Sequence, residues 1–145
     1  MDVLAYLSGY ADGEGCFCVS INKSARHRFG WEIRPSFSVS QNNDRAQVLE
    51  MFKQHFGCGT IRPDRSDKTL KYEVRSVNEL VERVIPHFEA NPLLSSKRRE
   101  FELFAEICRM MYCDKHQTRE GFDRVVELAL QMNPSGKRKY TEIKI

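Results

Sequence analysis

Asp2-Val3-Leu4-Ala5-Tyr6-Leu7-Ser8-Gly9-Tyr10-Ala11-Asp12-Gly13-Glu14-Gly15-Cys16-Phe17-Cys18-Val19-Ser20-Ile21-Asn22 changes its hydrophobic period once, and that change decides the fold. Val3, Leu4, Leu7, Tyr10 and Ala11 recur at three- and four-residue spacing, so residues 2–12 are expected to form a helix with Gly13 as its stop. From Cys16 onward, Phe17, Val19 and Ile21 alternate with Cys18, Ser20 and Asn22, the period of a strand with one buried face. The handover runs through two acids and two glycines, Asp12-Gly13-Glu14-Gly15. Ala5, Gly9 and Gly13 fall four apart and give the helix a stripe of small residues along which a second such helix can approach. Approach at a two-fold axis would bring together the acids that follow the two helices.

Working outward, Lys23 to Gly30 is a basic connection, and Trp31 to Gln41 resumes the alternation, completing a hairpin. Asp44, with Gln47 at the capping-box position, is expected to open a helix carrying Val48, Leu49, Met51, Phe52 and Phe56, ended by Gly57 and Gly59. Thr60 to Arg62 and Thr69 to Arg75 form a second hairpin around a turn-rich stretch. Ser76 with Glu79 caps a helix to about Phe88, Ser95 or Ser96 starts another, and Thr118 caps a last one. The fold class is therefore α+β: an αββαββα core whose antiparallel sheet is covered by helices on one face, plus an extra C-terminal helix. Residues 1–132 are expected to be one domain and 133–145 a polar, basic tail.

Composition narrows the function. With 145 residues and 41% hydrophobic content the chain can bury a core without staples. No apolar run approaches the roughly 20 residues that span a bilayer, and the first residues lack the features of a secretory signal. An intracellular protein is expected, cytoplasmic, nucleoid-associated or organellar, with no membrane partner and no secretion. The five cysteines show no CxxC pair and no histidine at zinc-ligand spacing, so they are read as reduced, mostly buried thiols and zinc is not predicted. The net charge of +3 is modest, but its distribution is uneven. Lys23, Arg26, His27, Arg28 and Arg34 gather against one acid, Glu32, and Arg62, Arg65, Lys68, Lys71 and Arg75 form a second basic group, while acids concentrate in 79–89 and 100–106. His55, His87 and His116 have no spaced partner and are assigned no catalysis.

The segment Leu7 to Gly15 resembles the LAGLIDADG motif of homing endonucleases in its leucine, first glycine, both acids and final glycine, and the resemblance extends to about Ile107. It implies a saddle-like sheet, a nuclease active centre built from two motif helices, and a role for a divalent cation. By position, Glu14 matches the family's metal-binding acid, with the Gly13 carbonyl beside it, and Asp12 matches an acid whose role is more structural. Matching FSVSQNNDR carries the family's glutamine and basic residue onto Gln41 and Arg45, and Lys97 takes its lysine role. Carboxylate, carbonyl and phosphate oxygens suit Mg²⁺. Such an ion supplies charge for phosphodiester hydrolysis, so no covalent nucleophile and no small-molecule cofactor is called for. Since the chain carries one motif, the resemblance implies a homodimer, with Ala5, Ser8, Gly9, Asp12 and Gly13 at its interface.

Double-stranded DNA is the expected partner, because a two-stranded ribbon fits the major groove, where Arg and Lys read guanine and Asn or Gln read adenine. Strand alternation nominates Ser20, Asn22, Glu32, Arg34, Ser36, Ser38 and Ser40. Arg26, His27 and Arg28 at the first hairpin's tip suit phosphates, and Lys23 is also expected to bind DNA. Arg62, Arg65 and Lys68 are nominated in the second hairpin, with Lys71 and Arg75 depending on register. The reading is a site-specific, Mg²⁺-dependent double-strand endonuclease with a long, partly palindromic target. Its alternatives are a non-cleaving maturase or transcriptional regulator on the same fold, or an unrelated interaction module.

Overall fold

The structure is a computed structural model and describes residues 1–65 and 68–132; the expected tail lies outside them. Helix α1 spans Val3–Glu14, opened by Asp2, whose carboxylate accepts from the Ala5 N–H at 3.1 Å. It runs through Gly13 rather than stopping there, and Gly15 closes it in extended conformation. Strand β1 (Gly15–Lys23) follows at once and pairs antiparallel with β2 (Trp31–Asn42). A 3₁₀ turn, Asn43–Arg45, leads to α2 (Gln47–Phe56), then β3 (Thr60–Pro63) and β4 (Thr69–Val74). The four strands form one sheet in the order β1-β2-β4-β3.

The expected capping box at Asp44 does not form, since α2 has Ala46 as N-cap with no side-chain bond. The preceding turn is fixed instead from outside, Asn43 N–H donating to the Lys68 carbonyl of the second hairpin at 2.8 Å. Ser76 does cap the next helical run, accepting from Glu79 N–H at 3.3 Å. That run comprises α3 (Val77–Glu79), a π turn (Leu80–Val84) and α4 (Ile85–Ala90). Pro86 explains the wide turn: proline lacks the N–H a helix needs and its ring crowds the carbonyl four residues back, so the backbone widens just before it. Helix α5 (Lys97–Tyr112) and helix α6 (Arg119–Met132, with Thr118 Oγ1 accepting from Gly121 N–H) complete the described residues.

Alternation along the strands does what it predicted. Phe17, Val19, Ile21, Ile33, Phe37, Val39, Tyr72 and Val74 are buried under the helices in one cluster that runs from Leu7 to Met132. Phe17 is the hub, with ring centroids 5.1–5.4 Å from Phe37, Phe88, Phe101 and Phe104, and truncating a buried ring of this kind costs about 3–5 kcal/mol. The cysteines divide differently from expectation: all five are free thiols, but Cys58 and Cys108 alone are buried, while Cys16 and Cys18 face the open side of the sheet and Cys113 ends a helix.

Candidate nucleic-acid interface and motif turn

The turn from α1 into β1 is built on a backbone approach only glycine allows. A Cβ on Gly15 would stand 2.7 Å from the Ala11 carbonyl oxygen, which also accepts the Gly15 N–H. Lys97, the first residue of α5, reaches across 82 residues of sequence and donates from Nζ to the carbonyls of Gly15 and, at 3.3 Å, Ala11. An ammonium at the C-terminal end of a helix lies where the helix dipole is negative, so the placement is favourable twice over. Asp12 locks the same corner: its carboxylate accepts from the backbone N–H groups of Leu94 and Ser95 at 3.0 Å and from Ser95 Oγ. The Ser95 hydroxyl is the leading cause that holds the Asp12 carboxyl below its usual range. Glu14 is exposed and, among the described residues, has no hydrogen bond or ion pair.

Gln41 reaches α1 from β2, donating from Nε2 to Tyr10 Oη while its Oε1 accepts from Asn42 N–H at 2.8 Å. Tyr10 lies one helical turn before Glu14, so Gln41, Lys97 and the motif turn gather round the end of one helix. Arg45 does not join them. It is 66% exposed on the 3₁₀ turn with Nε 3.7 Å from Asp44, and no bond ties it to Glu14, Gln41 or Lys97 among the described residues.

Strand register defines the open face. Asn22 pairs with Glu32, Ser20 with Arg34, Cys18 with Ser36 and Cys16 with Ser38. The rows continue through Ser38 to Glu73 and Thr60, and through Ser40 to Lys71 and Arg62. Lys71 and, beyond the end of β4, Arg75 therefore share the outward side with Arg62. Arg26, His27 and Arg28 are exposed at the tip and Arg65 and Lys68 at the second turn. Some nominated side chains are otherwise engaged. Lys23 shares the helix-facing row with Trp31, its ammonium 5.8 Å over the indole ring. Glu32 lies 3.8 Å from His27, Ser40 donates to Asp64 at 3.0 Å, and Ser38 is buried.

On α1, Ala5, Gly9 and Gly13 are exposed, and a Cβ on Gly9 or Gly13 would meet no atom within 4 Å among the described residues. A groove of about 320 Å³ runs beside them, lined in part by Pro92 and Leu94. Ser8 departs from the expected interface: it is buried, donating to the Asn91 carbonyl at 2.6 Å. The LAGLIDADG endonuclease family model matches residues 7–108. The chain belongs to the LAGLIDADG endonuclease family.

Among LAGLIDADG relatives, the chain is 35% identical over 103 residues to "Homing endonuclease I-ApeII" of Aeropyrum pernix, covering 70% of this chain and 60% of that protein. It is 28% identical over 130 residues to "Probable intron-encoded endonuclease 2" of Neurospora crassa, covering 89% of this chain. It spans 24–29% of the length of that protein and of two similar fungal relatives. The solved archaeal intron-encoded homing endonuclease I-Vdi141I, complexed with DNA, superposes with a TM-score of 0.86 at 33% identity, covering 94% of this chain and 87% of that one. Homing endonuclease I-TnaI superposes at 0.84 with 32% identity, covering 92% and 89%. The αββαββα plan is thus that of the LAGLIDADG homing endonucleases.

Several residues of this LAGLIDADG chain that hydrogen-bond around α1 escape a reading of the sequence. Tyr10 reads there only as part of the core stripe, although its place four residues before Glu14 marks it. The histidines have partners supplied by the fold. Because Ser8 O–H is spent on Asn91, its oxygen accepts from His87 Nε2 at 3.0 Å, leaving His87 Nδ1 to accept from His55 Nε2 at 3.0 Å. This chain joins α1, α4 and α2, and burial, then the neighbouring His55, push His87 down to about 4. No helix among the described residues is long and apolar enough to cross a membrane.

Proposed function

We propose that this chain is a site-specific double-strand DNA endonuclease that acts as a homodimer on a long, partly palindromic target with a divalent cation, Mg²⁺ fitting best. What carries the reading is the motif turn: an exposed Glu14 carboxylate, unpaired among the described residues, ends a helix whose small-residue stripe is open among them, directly where the polar sheet face begins. Glu14 and the Gly13 carbonyl offer the hard oxygens Mg²⁺ prefers. Among the described residues no three His, Cys, Asp or Glu side chains form a cage; in this reading the remaining ligands would be supplied by the second copy and the scissile phosphates. The ion, when bound, supplies Lewis-acid charge at the phosphate.

The chain's own residues do the rest. Lys97, fixed on the Ala11 and Gly15 carbonyls, holds a positive charge beside the turn for charge developing on the phosphate. Gln41, tethered to Tyr10, orients water or phosphate there, and Arg45 reaches phosphates from outside the cluster. Ala5, Gly9 and Gly13 meet the second helix, while Asp12 and Ser8 stay within their own chain and support that surface from behind. Ser20, Asn22, Arg34, Ser36, Arg62, Lys71 and Arg75 face base edges, and Arg26, His27, Arg28, Arg65 and Lys68 face phosphates. Residues 1–132 act as one endonuclease domain with 133–145 as its tail, in a compartment that holds its DNA.

The test uses a target recovered by selecting cleaved sequences from a random duplex library with Mg²⁺. Glu14→Gln removes charge at constant size, so it should bind that target within about twofold of the unmodified chain and cleave it roughly a hundred- to a thousandfold more slowly, the order seen when one electrostatic group of an active site is lost. Equal cleavage by the variant would refute the assignment. Recovery from the same library of duplexes that the unmodified chain binds but leaves intact, with no cleaved sequence, would establish the non-cleaving alternative, and sedimentation as a monomer on DNA would exclude the homodimer.

A further inference from the structure

Glu73 is an acid on a face that should bind phosphates, and three cations surround it. Its carboxylate lies 2.8 Å from Arg62 Nη2, 3.4 Å from Arg75 Nε and 3.6 Å from Lys71 Nζ. The Glu73 side chain is 10% exposed, against 52%, 46% and 31% for those of Arg62, Arg75 and Lys71. The acid therefore sits beneath the cations, screened from solvent by them. The register places it in the row Cys16–Ser38–Glu73–Thr60, one residue beyond the motif turn and beside the row of Ser40, Lys71 and Arg62. A sheet that needed only affinity for DNA gains nothing from an acid there, since it cancels one of three positive charges.

We infer that Glu73 is a positioning residue for target recognition, holding Arg62, Lys71 and Arg75 in one arrangement so that they address base edges instead of collecting nearby phosphates. Long cationic side chains left to themselves settle on phosphates, which give affinity without sequence information. A half-buried anchor that accepts from the Arg62 guanidinium and attracts its two neighbours removes that freedom before DNA arrives, and it repels phosphate from the same spot. Selectivity rises at the expense of affinity, the pattern expected when a repulsive element is built into a binding surface. Glu32 near the hairpin tip does not do the same, because among the described residues its one ion-pair partner is His27, at 3.8 Å.

The inference rests on the sheet face being the DNA surface, and the experiment separates the two. Binding to the selected target and to a scrambled duplex of equal length is measured by fluorescence anisotropy across a salt series. Glu73→Gln should bind the scrambled duplex about tenfold more tightly at low salt, with a slope of log K against log salt steeper by about 0.9 for each cation that moves to a phosphate. The ratio of target to scrambled affinity should fall at least tenfold. Arg62→Gln in the otherwise unmodified chain, a change at an exposed edge that leaves the fold intact, should weaken target binding while leaving the scrambled-duplex slope unchanged. An unaltered slope and ratio in Glu73→Gln, or a slope lowered by about 0.9 in Arg62→Gln on scrambled DNA, overturns the inference. If the unmodified chain binds no duplex, the DNA face itself is wrong and the inference falls with it.

Discussion

Lowering the pH from 7.5 to 5 should weaken this fold through one residue, His87. It is 7% exposed, and its imidazole is pushed from 6.5 to about 4 by burial and then by His55. A histidine held low favours its neutral form in the folded chain, so nothing is lost above the unfolded value near 6.5. Stability then falls as the unfolded state binds a proton the folded state refuses, until the pH reaches the folded value. At about 1.36 kcal/mol per pH unit, most of the penalty is in place by pH 5, about 2 kcal/mol. For a chain of this size that is a melting temperature lower by roughly 4–8 °C. The Asp12 and Glu89 carboxyls, held low by Ser95 and Arg109 respectively, lose their contributions as pH falls below the ordinary carboxylate range and stay out of this window. Thermal melts of the unmodified chain and of the His87→Gln variant at both pH values isolate the effect, because glutamine still reaches Ser8 but does not titrate. His116, also held low by burial, is common to both proteins and cancels. An equal drop in the two proteins would refute the assignment.

Two further outcomes follow from the geometry. Gly15→Ala places a Cβ 2.7 Å from the Ala11 oxygen, so the turn must open, at a cost of about 1–3 kcal/mol. Because the Gly15 carbonyl also holds Lys97, the cleavage rate should fall well before target affinity does, and single-turnover assays beside binding curves check the order. Phe29 stacks 5.0 Å from Phe122 of α6 with Arg119 5.5 Å over its face, so Phe29→Ala should cost roughly 2 kcal/mol, half the value for a fully buried ring, and weaken DNA binding at the tip. Full retention of affinity would mean that α6 does not brace the hairpin.

Local patterns carried most of the fold. The α1-to-β1 change of period and the alternation in β1, β2 and β4 follow from single-residue repeats, and the caps at Ser76 and Thr118 form as their spacing implies. What failed locally failed because distant atoms intervened. Asp44 and Gln47 have the spacing of a capping box, yet the turn before α2 answers to the Lys68 carbonyl. The His55–His87–Ser8 chain spans three elements far apart in sequence, and no spacing rule reaches across 79 residues. Glu73 among its cations is equally hidden, because the outward set of the second hairpin depends on a register that only the β2–β4 pairing fixes.

Strand β1 also acts as a ruler. It starts at the motif turn and ends at the hairpin tip, nine residues, Gly15 to Lys23, with no bulge in its register against β2. Its length is about 26 Å at about 3.3 Å per residue, or about eight base pairs at about 3.4 Å each for strands laid along the duplex. In the proposed homodimer, two copies back to back would span roughly sixteen base pairs, and the side loops would add a few more. Inserting two residues into β1 and two opposite them in β2 would keep every side chain on its face and, under the proposed function, would move the outermost recognised base, so that the length of the target would be written in the length of a strand.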